Sequence, residues 1–151
     1  DNIDQVWSSG VETTFMTHIK LGFGQIGCSG NYAYTKSIRM AADNAKSIGK
    51  QLIYTPHHQA NFQFSFQFRN TKLSYQQQII SERFTDNLNE ESLPLYHLGN
   101  LRIEQNFHLK NATIAVFGSI NNIYGTNYQV VRMRPMPWQQ FEIGIRLNID
   151  S

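Results

Sequence analysis

Two adjacent histidines, His57 and His58, are the first residues whose type suggests chemistry, because imidazole is a common metal ligand. Neighbours on a strand point to opposite faces, so the two rings do not readily share one ion. The sequence also offers no carboxylate at ligand spacing beside them. We therefore expect the pair to mark a junction between a loop and a strand, and we predict no metal site.

A hydrolase constellation of Ser, His and Asn is the second candidate chemistry. It needs a nucleophile held beside a histidine. The other histidines are scattered along the chain, with no nucleophile motif near them: His18, His97 and His108. The single cysteine, Cys28, has no partner for an internal disulfide. We therefore expect no catalytic residues, no enzymatic activity and no cofactor.

A third set of residues is basic or aromatic and falls in long segments without alternation. Such side chains suit an anionic or ring-bearing ligand. The candidate ligand-binding residues are Arg39, Tyr124, Tyr128, Arg132, Arg134 and Trp138. The alternative is that these loops are simply charged, and that an acidic loop with Asp86, Glu90 and Glu91 pairs with the basic ones.

The elements that must position these loops are strands. In residues 61–69, phenylalanines alternate with uncharged polar residues, so the rings share one face of a strand. We predict that this face meets lipid and that the polar face lines an aqueous lumen. The predicted lipid-facing residues of this strand and of the last strand are Phe62, Phe64, Phe66, Phe68, Phe141, Ile143, Ile145 and Leu147.

Alternation of this kind predicts about seven strands, including residues 6–20, 25–36 and 141–149. The connections between them alternate short and long. In an up-and-down antiparallel sheet, all the long loops then lie at one edge, as in outer-membrane barrels. The segment Pro135-Met136-Pro137 is expected to stay outside any ladder.

The amino-acid composition limits the surroundings in which this protein can fold. Of 151 residues only 16% are charged, below the roughly 25% of soluble domains, and the net charge of +2 does not indicate nucleic-acid binding. No apolar run approaches the roughly 18 residues of a spanning helix. The polar faces are mostly Asn, Gln, Ser and Thr, which suits a lumen better than a solvent-facing surface. A soluble lipocalin-like barrel or a two-sheet sandwich shows similar alternation and remains an alternative.

Five segments also resemble motifs of the TonB-dependent outer-membrane receptors, in the family's order and spacing. They read S-G-V-E at 9–12, Y-T-P-x-H-x-x-N at 54–61, L-P-x-Y-x-L-x-x-L-R at 93–102, N-N-x-Y at 121–124, and P-M-P-x-x-x-F-x-x-G at 135–144. Trp138 and Gln139 stand where the family has Gly and Arg. The resemblance covers nearly the whole chain and matches the C-terminal part of the family's barrel.

The resemblance implies an all-β fold, an antiparallel up-and-down transmembrane β-barrel portion of about seven strands in a barrel of about 22. It implies that residues 1–151 are a C-terminal barrel segment, with the plug domain and TonB box outside this chain. The expected partners are outer-membrane lipid, the rest of the barrel and plug, TonB and a small-molecule ligand of the siderophore, haem or cobalamin class. The expected location is the bacterial outer membrane. A small complete barrel that anchors or adheres is the alternative within the membrane class.

Overall fold

The structure, a computed structural model, describes residues 5–41 and 44–149. It contains eleven strands: β1 (Gln5–Leu21), β2 (Gly24–Ala41), β3 (His58–Phe68), β4 (Thr71–Ile80), β5 (Arg83–Phe84), β6 (Ser92–Leu93), β7 (Tyr96–His108), β8 (Ala112–Asn121), β9 (Gln129–Val131), β10 (Arg134–Pro135) and β11 (Gln140–Ile149). A single 3-10 turn, Ala45–Ser47, follows β2. No helix in the described ranges is long and apolar enough to cross a membrane.

Seven of the strands form one antiparallel sheet in the order β1-β2-β3-β4-β7-β8-β11. Each of these seven strands pairs with the next one along the chain, so the predicted up-and-down antiparallel topology is confirmed. The strand predicted at 25–36 was too short, because β2 continues to Ala41. It continues because β1 pairs with it as far as Ala41. Loop 1 also folds back on its other edge, where Ile38 bridges Gln51 and the Leu52 amide donates to the Ser37 carbonyl at 2.8 Å.

The connections confirm the predicted rhythm. Short turns join β1 to β2, β3 to β4 and β7 to β8. At the opposite edge lie loop 1, described over residues 44–57, loop 2 (81–95) and loop 3 (122–139). Loop 2 contains the β5–β6 hairpin and loop 3 the β9–β10 hairpin. The prediction that residues 135–137 stay outside any ladder was wrong. Pro135 pairs with Gln129 in the β9–β10 hairpin, and the Met136 amide donates to the Tyr128 carbonyl.

The register sorts side chains onto two faces. Phe64 lies opposite Cys28 on β2 and Tyr75 on β4, and directly opposed residues share a face. The apolar face therefore holds the four phenylalanines of β3 together with Phe141, Ile143, Ile145 and Leu147 of β11. The polar face holds Gln63, Ser65 and Gln67 with their register partners.

This sheet is a single layer without a conventional core. Apart from Pro56 and the glycines, only three apolar residues in the described chain are buried: Ile80, Leu93 and Ala115. On the apolar face Ile143 is 85% exposed. The accessible surface is 10448 Å², against about 7,900 Å² for a compact monomer of this mass. Because β1 and β11 each have a strand neighbour on one side only within the described residues, the sheet is an open segment rather than a closed barrel.

Candidate functional site

Loop 2 is built around Asp86. Its carboxylate accepts hydrogen bonds from the amides of Leu88, Glu90 and Glu91 at 2.8, 2.9 and 2.8 Å. Three amide donors satisfy the carboxylate locally, so this acidic residue shapes the turn. Of the acidic residues predicted in loop 2, Glu90 and Glu91 remain at the surface of the loop.

Loop 1 and loop 2 are joined by a reciprocal pair. The Gln51 amide donates to Asn89 Oδ1 at 2.8 Å, and Asn89 Nδ2 donates to the Gln51 carbonyl at 3.0 Å. Asn89 has φ of 58°, a left-handed conformation that Asn tolerates better than most residues. The buried Gln51 side chain also accepts from the Ser37 amide at 2.9 Å, which ties the pair to β2.

Loop 2 and loop 3 meet at Arg83, whose side chain is only 4% exposed. Its guanidinium carbon lies 4.6 Å from the Tyr96 ring centroid, and Nη2 donates to the carbonyls of Pro94 and Gln129 at 3.4 and 3.2 Å. Tyr128 in turn packs on Tyr96 with the ring centroids 4.7 Å apart. Burial lowers the pKa of the Arg83 guanidinium, and Tyr96 partly offsets the shift.

Five of the six predicted ligand-binding residues fall in loop 3, and three of these lie in or next to its β9–β10 hairpin: Tyr128, Arg132 and Arg134. Tyr128 packs on Tyr96 with the two rings tilted, while Arg134 lies exposed on β10. Arg132 forms an ion pair with Glu91 of loop 2. That contact matches the alternative interpretation of the sequence, in which loops of opposite charge pair with each other.

The two remaining residues of loop 3, Tyr124 and Trp138, and Arg39 of β2 have different surroundings. Tyr124 folds onto the apolar face, where its hydroxyl donates to Gln77 at 2.9 Å and its ring covers Gly99 so closely that a Cβ there would stand 2.8 Å from Cε2. Trp138 is 70% exposed, and its indole donates to the Gly125 carbonyl. Arg39 is half-buried on β2, and its carbonyl accepts from the Gly49 amide at 2.8 Å. The six residues therefore do not form one cluster.

The polar face carries a groove of about 500 Å³ between β3, β4, β7, β8 and β11. Charges of both signs line it: Lys72, Arg102, Glu104, Glu142 and Arg146. Arg102 pairs with Glu104 at 2.9 Å and lies 3.6 Å from the Phe117 ring centroid. A wall with both charges and many amides suits a hydrated surface or a polar protein partner.

The histidine pair lies where loop 1 enters β3. His57 Nδ1 donates to the Thr35 carbonyl at 3.1 Å, and His58 Nδ1 bonds the Tyr32 hydroxyl at 2.8 Å. Both rings contact Tyr34 rather than pointing to opposite sides of the sheet, because His57 precedes the regular strand. The described residues contain no group of three or more metal-ligating side chains.

Arg83 and Asn122 are residues that the sequence interpretation overlooked. Asn122 is buried with φ of 52°, and it exchanges two hydrogen bonds of 2.9 Å with Thr126. The N-N-x-Y motif marks its position but not this role. Nothing in the sequence indicated that Arg83 is buried, since its partners are backbone carbonyls 11 and 46 residues away.

An open antiparallel sheet with an exposed apolar face, a polar opposite face and structured loops at one edge defines the class: a segment of a transmembrane β-barrel. The family model described as TonB dependent receptor-like, beta-barrel matches residues 1–123. The chain therefore belongs to the TonB-dependent receptor β-barrel family, and the resemblance noted in its motifs is confirmed.

Among solved structures, the chain is similar to BauA, the ferric preacinetobactin receptor from Acinetobacter baumannii. The TM-score is 0.66 and the identity 14%, over 93% of this chain and 26% of that chain. At this identity the likeness concerns the fold, and the chain spans about a quarter of the receptor's length. No curated protein sequence matches the chain.

Proposed function

We propose that this chain forms part of the wall of a bacterial outer-membrane receptor. The observation that carries the proposal is the continuous apolar face, where large side chains such as Phe141, Ile143 and Ile145 are exposed across a single-layer sheet. Covering each such side chain contributes roughly 1.5–3 kcal/mol, so the face requires an apolar partner. In the proposal that partner is outer-membrane lipid, which all eight predicted lipid-facing residues contact.

The polar face then lines the lumen of a larger barrel. Residues 1–151 act as its C-terminal segment, and β1 pairs with a further strand of the same barrel. A plug domain meets the mixed charges of the polar groove, and TonB drives uptake through parts of the receptor outside this chain. Family membership supports this arrangement.

The transported ligand belongs to the class of scarce bulky solutes: a ferric siderophore, haem or cobalamin. The similarity to a ferric siderophore receptor favours the first of these. Tyr128, Arg132 and Arg134, which lie in or next to the β9–β10 hairpin of loop 3, are the residues proposed to meet the ligand. The other three predicted residues lie outside this hairpin, and we propose that they support the loops and do not meet the ligand: Arg39, Tyr124 and Trp138.

Uptake assays test this function. Cells that depend on the receptor for one radiolabelled solute should lose its uptake when the receptor gene is deleted, and again when TonB is deleted. A panel of ferric siderophores, haem and cobalamin identifies the solute. If receptor deletion changes the uptake of none of them, the transport proposal is wrong.

A further inference from the structure

Loops 2 and 3 line an open crevice of about 480 Å³ at the long-loop edge of the sheet. Its polar lining comes from both loops: Thr85, Glu91, Ser92, Gln129 and Arg132. None of these residues lines the polar-face groove described above. The crevice is therefore a separate site formed wholly by loop residues.

A buried cation lies against the wall of this crevice. Arg83 bonds the carbonyl of Gln129 and pairs in register with Leu93, and both of those residues line the crevice. Within the described chain Arg83 Nε and Nη1 are buried without an acceptor, and the acceptors of Nη2 are neutral carbonyls. A buried charge without a counter-ion is costly, so this cation favours a nearby anion.

The crevice lining contains a second polar group without a hydrogen-bond partner among the described residues. Thr85 Oγ1 is buried and without a hydrogen-bond partner among the described residues. A hydroxyl donates one hydrogen bond, and an oxyanion accepts several. The Thr85 hydroxyl and the buried guanidinium therefore favour the same kind of ligand group.

Among the described residues that line the crevice, Arg132 is the one cation, and it is already engaged by a carboxylate. Arg132 pairs with Glu91, and their side chains are 49% and 51% exposed. Exposed ion pairs of this kind contribute little, so a competing anion can replace Glu91. Two further carboxylates near the crevice already accept hydrogen bonds: Glu82 from the hydroxyl of Ser92 in the crevice lining, and Asp86 from three amides.

We propose that this crevice binds an oxyanion of the incoming ligand, a carboxylate or a phosphate, and that Glu91 occupies Arg132 until that oxyanion displaces it. The inference rests on the proposed receptor function and specifies the ligand chemistry at one site. Arg132 contacts the oxyanion directly, the Thr85 hydroxyl donates to it, and Arg83 supplies positive potential from beneath.

Calorimetric titration of the intact detergent-solubilised receptor tests this proposal, with citrate and inorganic phosphate as the two probes. A citrate response assigns a carboxylate, and a phosphate response assigns a phosphate. Arg132→Gln should weaken binding by about tenfold or more, because a charged hydrogen bond is lost. Glu91→Gln should strengthen it severalfold. Lys110→Gln, which removes a charge at the opposite edge of the sheet, should leave it unchanged.

Three results would overturn the proposal: no binding of either probe, equal affinity in Arg132→Gln and Lys110→Gln, or weaker binding in Glu91→Gln. The fraction of each variant that stays folded on unheated gels shows whether the barrel has assembled. If assembly and solute uptake are intact while neither probe binds, this inference fails and the receptor function stands.

Discussion

Phe117 of β8 lies over Gly144, its register partner on β11, so closely that a Cβ at position 144 would stand 2.3 Å from the ring's Cζ. The same ring supports the guanidinium of Arg102 at 3.6 Å. An aromatic ring covering a cross-strand glycine is a known means of fixing strand register. The stack joins β7, β8 and β11 across the polar face.

We predict that Gly144→Ala destabilises the assembled receptor by about 1–3 kcal/mol, because the ring must move and its contact with Arg102 is lost. The midpoint of urea unfolding in detergent measures the effect. Gly118→Ala is the matched control, since a Cβ there would meet its nearest neighbour at 3.9 Å. Equal midpoints for the two variants would show that the stack does not stabilise the sheet.

The Asn122 turn yields a second prediction. Asn122→Ala removes both side-chain bonds to Thr126 and leaves alanine at a φ of 52°. We expect loop 3 to be cut several times faster by added protease, with the strands unaffected, because a buried polar bond is worth about 1–3 kcal/mol when one partner is removed. The exposed Asn127→Ala serves as the control. Unchanged cleavage of loop 3 would contradict this role.

The third prediction concerns the hydrogen-bonded pair formed by Gln51 and Asn89. Asn89→Ala should free loop 1 from loop 2, so amide hydrogens of loop 1 near Gln51 should exchange about tenfold faster or more. Hydrogen–deuterium exchange followed by mass spectrometry measures the exchange rates of these amides directly. Asn87→Ala, at an exposed position in the same loop, should leave those rates unchanged. The same exchange in both variants would mean that the loops are held together by other contacts.

The sheet was predictable because its signals are local. Alternation across residues such as Phe62 and Phe64 sets the faces, and the turn at residues 69–70 sets the register of β3 with β4. The last five residues of β2, 37–41, were not predicted as strand. They are held by pairing with the start of β1 on one side and by the bridge between Ile38 and Gln51 of loop 1 on the other. That contact joins residues far apart in the chain and leaves no periodic pattern.

The loop site was predicted only in part, for the same reason. Arg132 and Tyr128 were named from residue type, and the acidic loop was named as a possible partner. Tyr124 has the same residue type as Tyr128, yet the turn at Asn122 directs it to the apolar face beside Gln77. Residue type predicts what a loop side chain can bind, while the backbone of the loop decides which side of the sheet it reaches.

The central claim, that the apolar face meets lipid and the polar face meets water, is tested most directly by adjacent charge substitutions on β3. Phe64→Lys and Gln63→Lys each place one lysine near the middle of the strand, on opposite faces. A lysine facing the hydrocarbon costs about 2–4 kcal/mol, so Phe64→Lys should sharply reduce the amount of receptor assembled in the outer membrane, while Gln63→Lys should assemble normally. Equal assembly of the two variants, or loss with Gln63→Lys alone, would contradict the account.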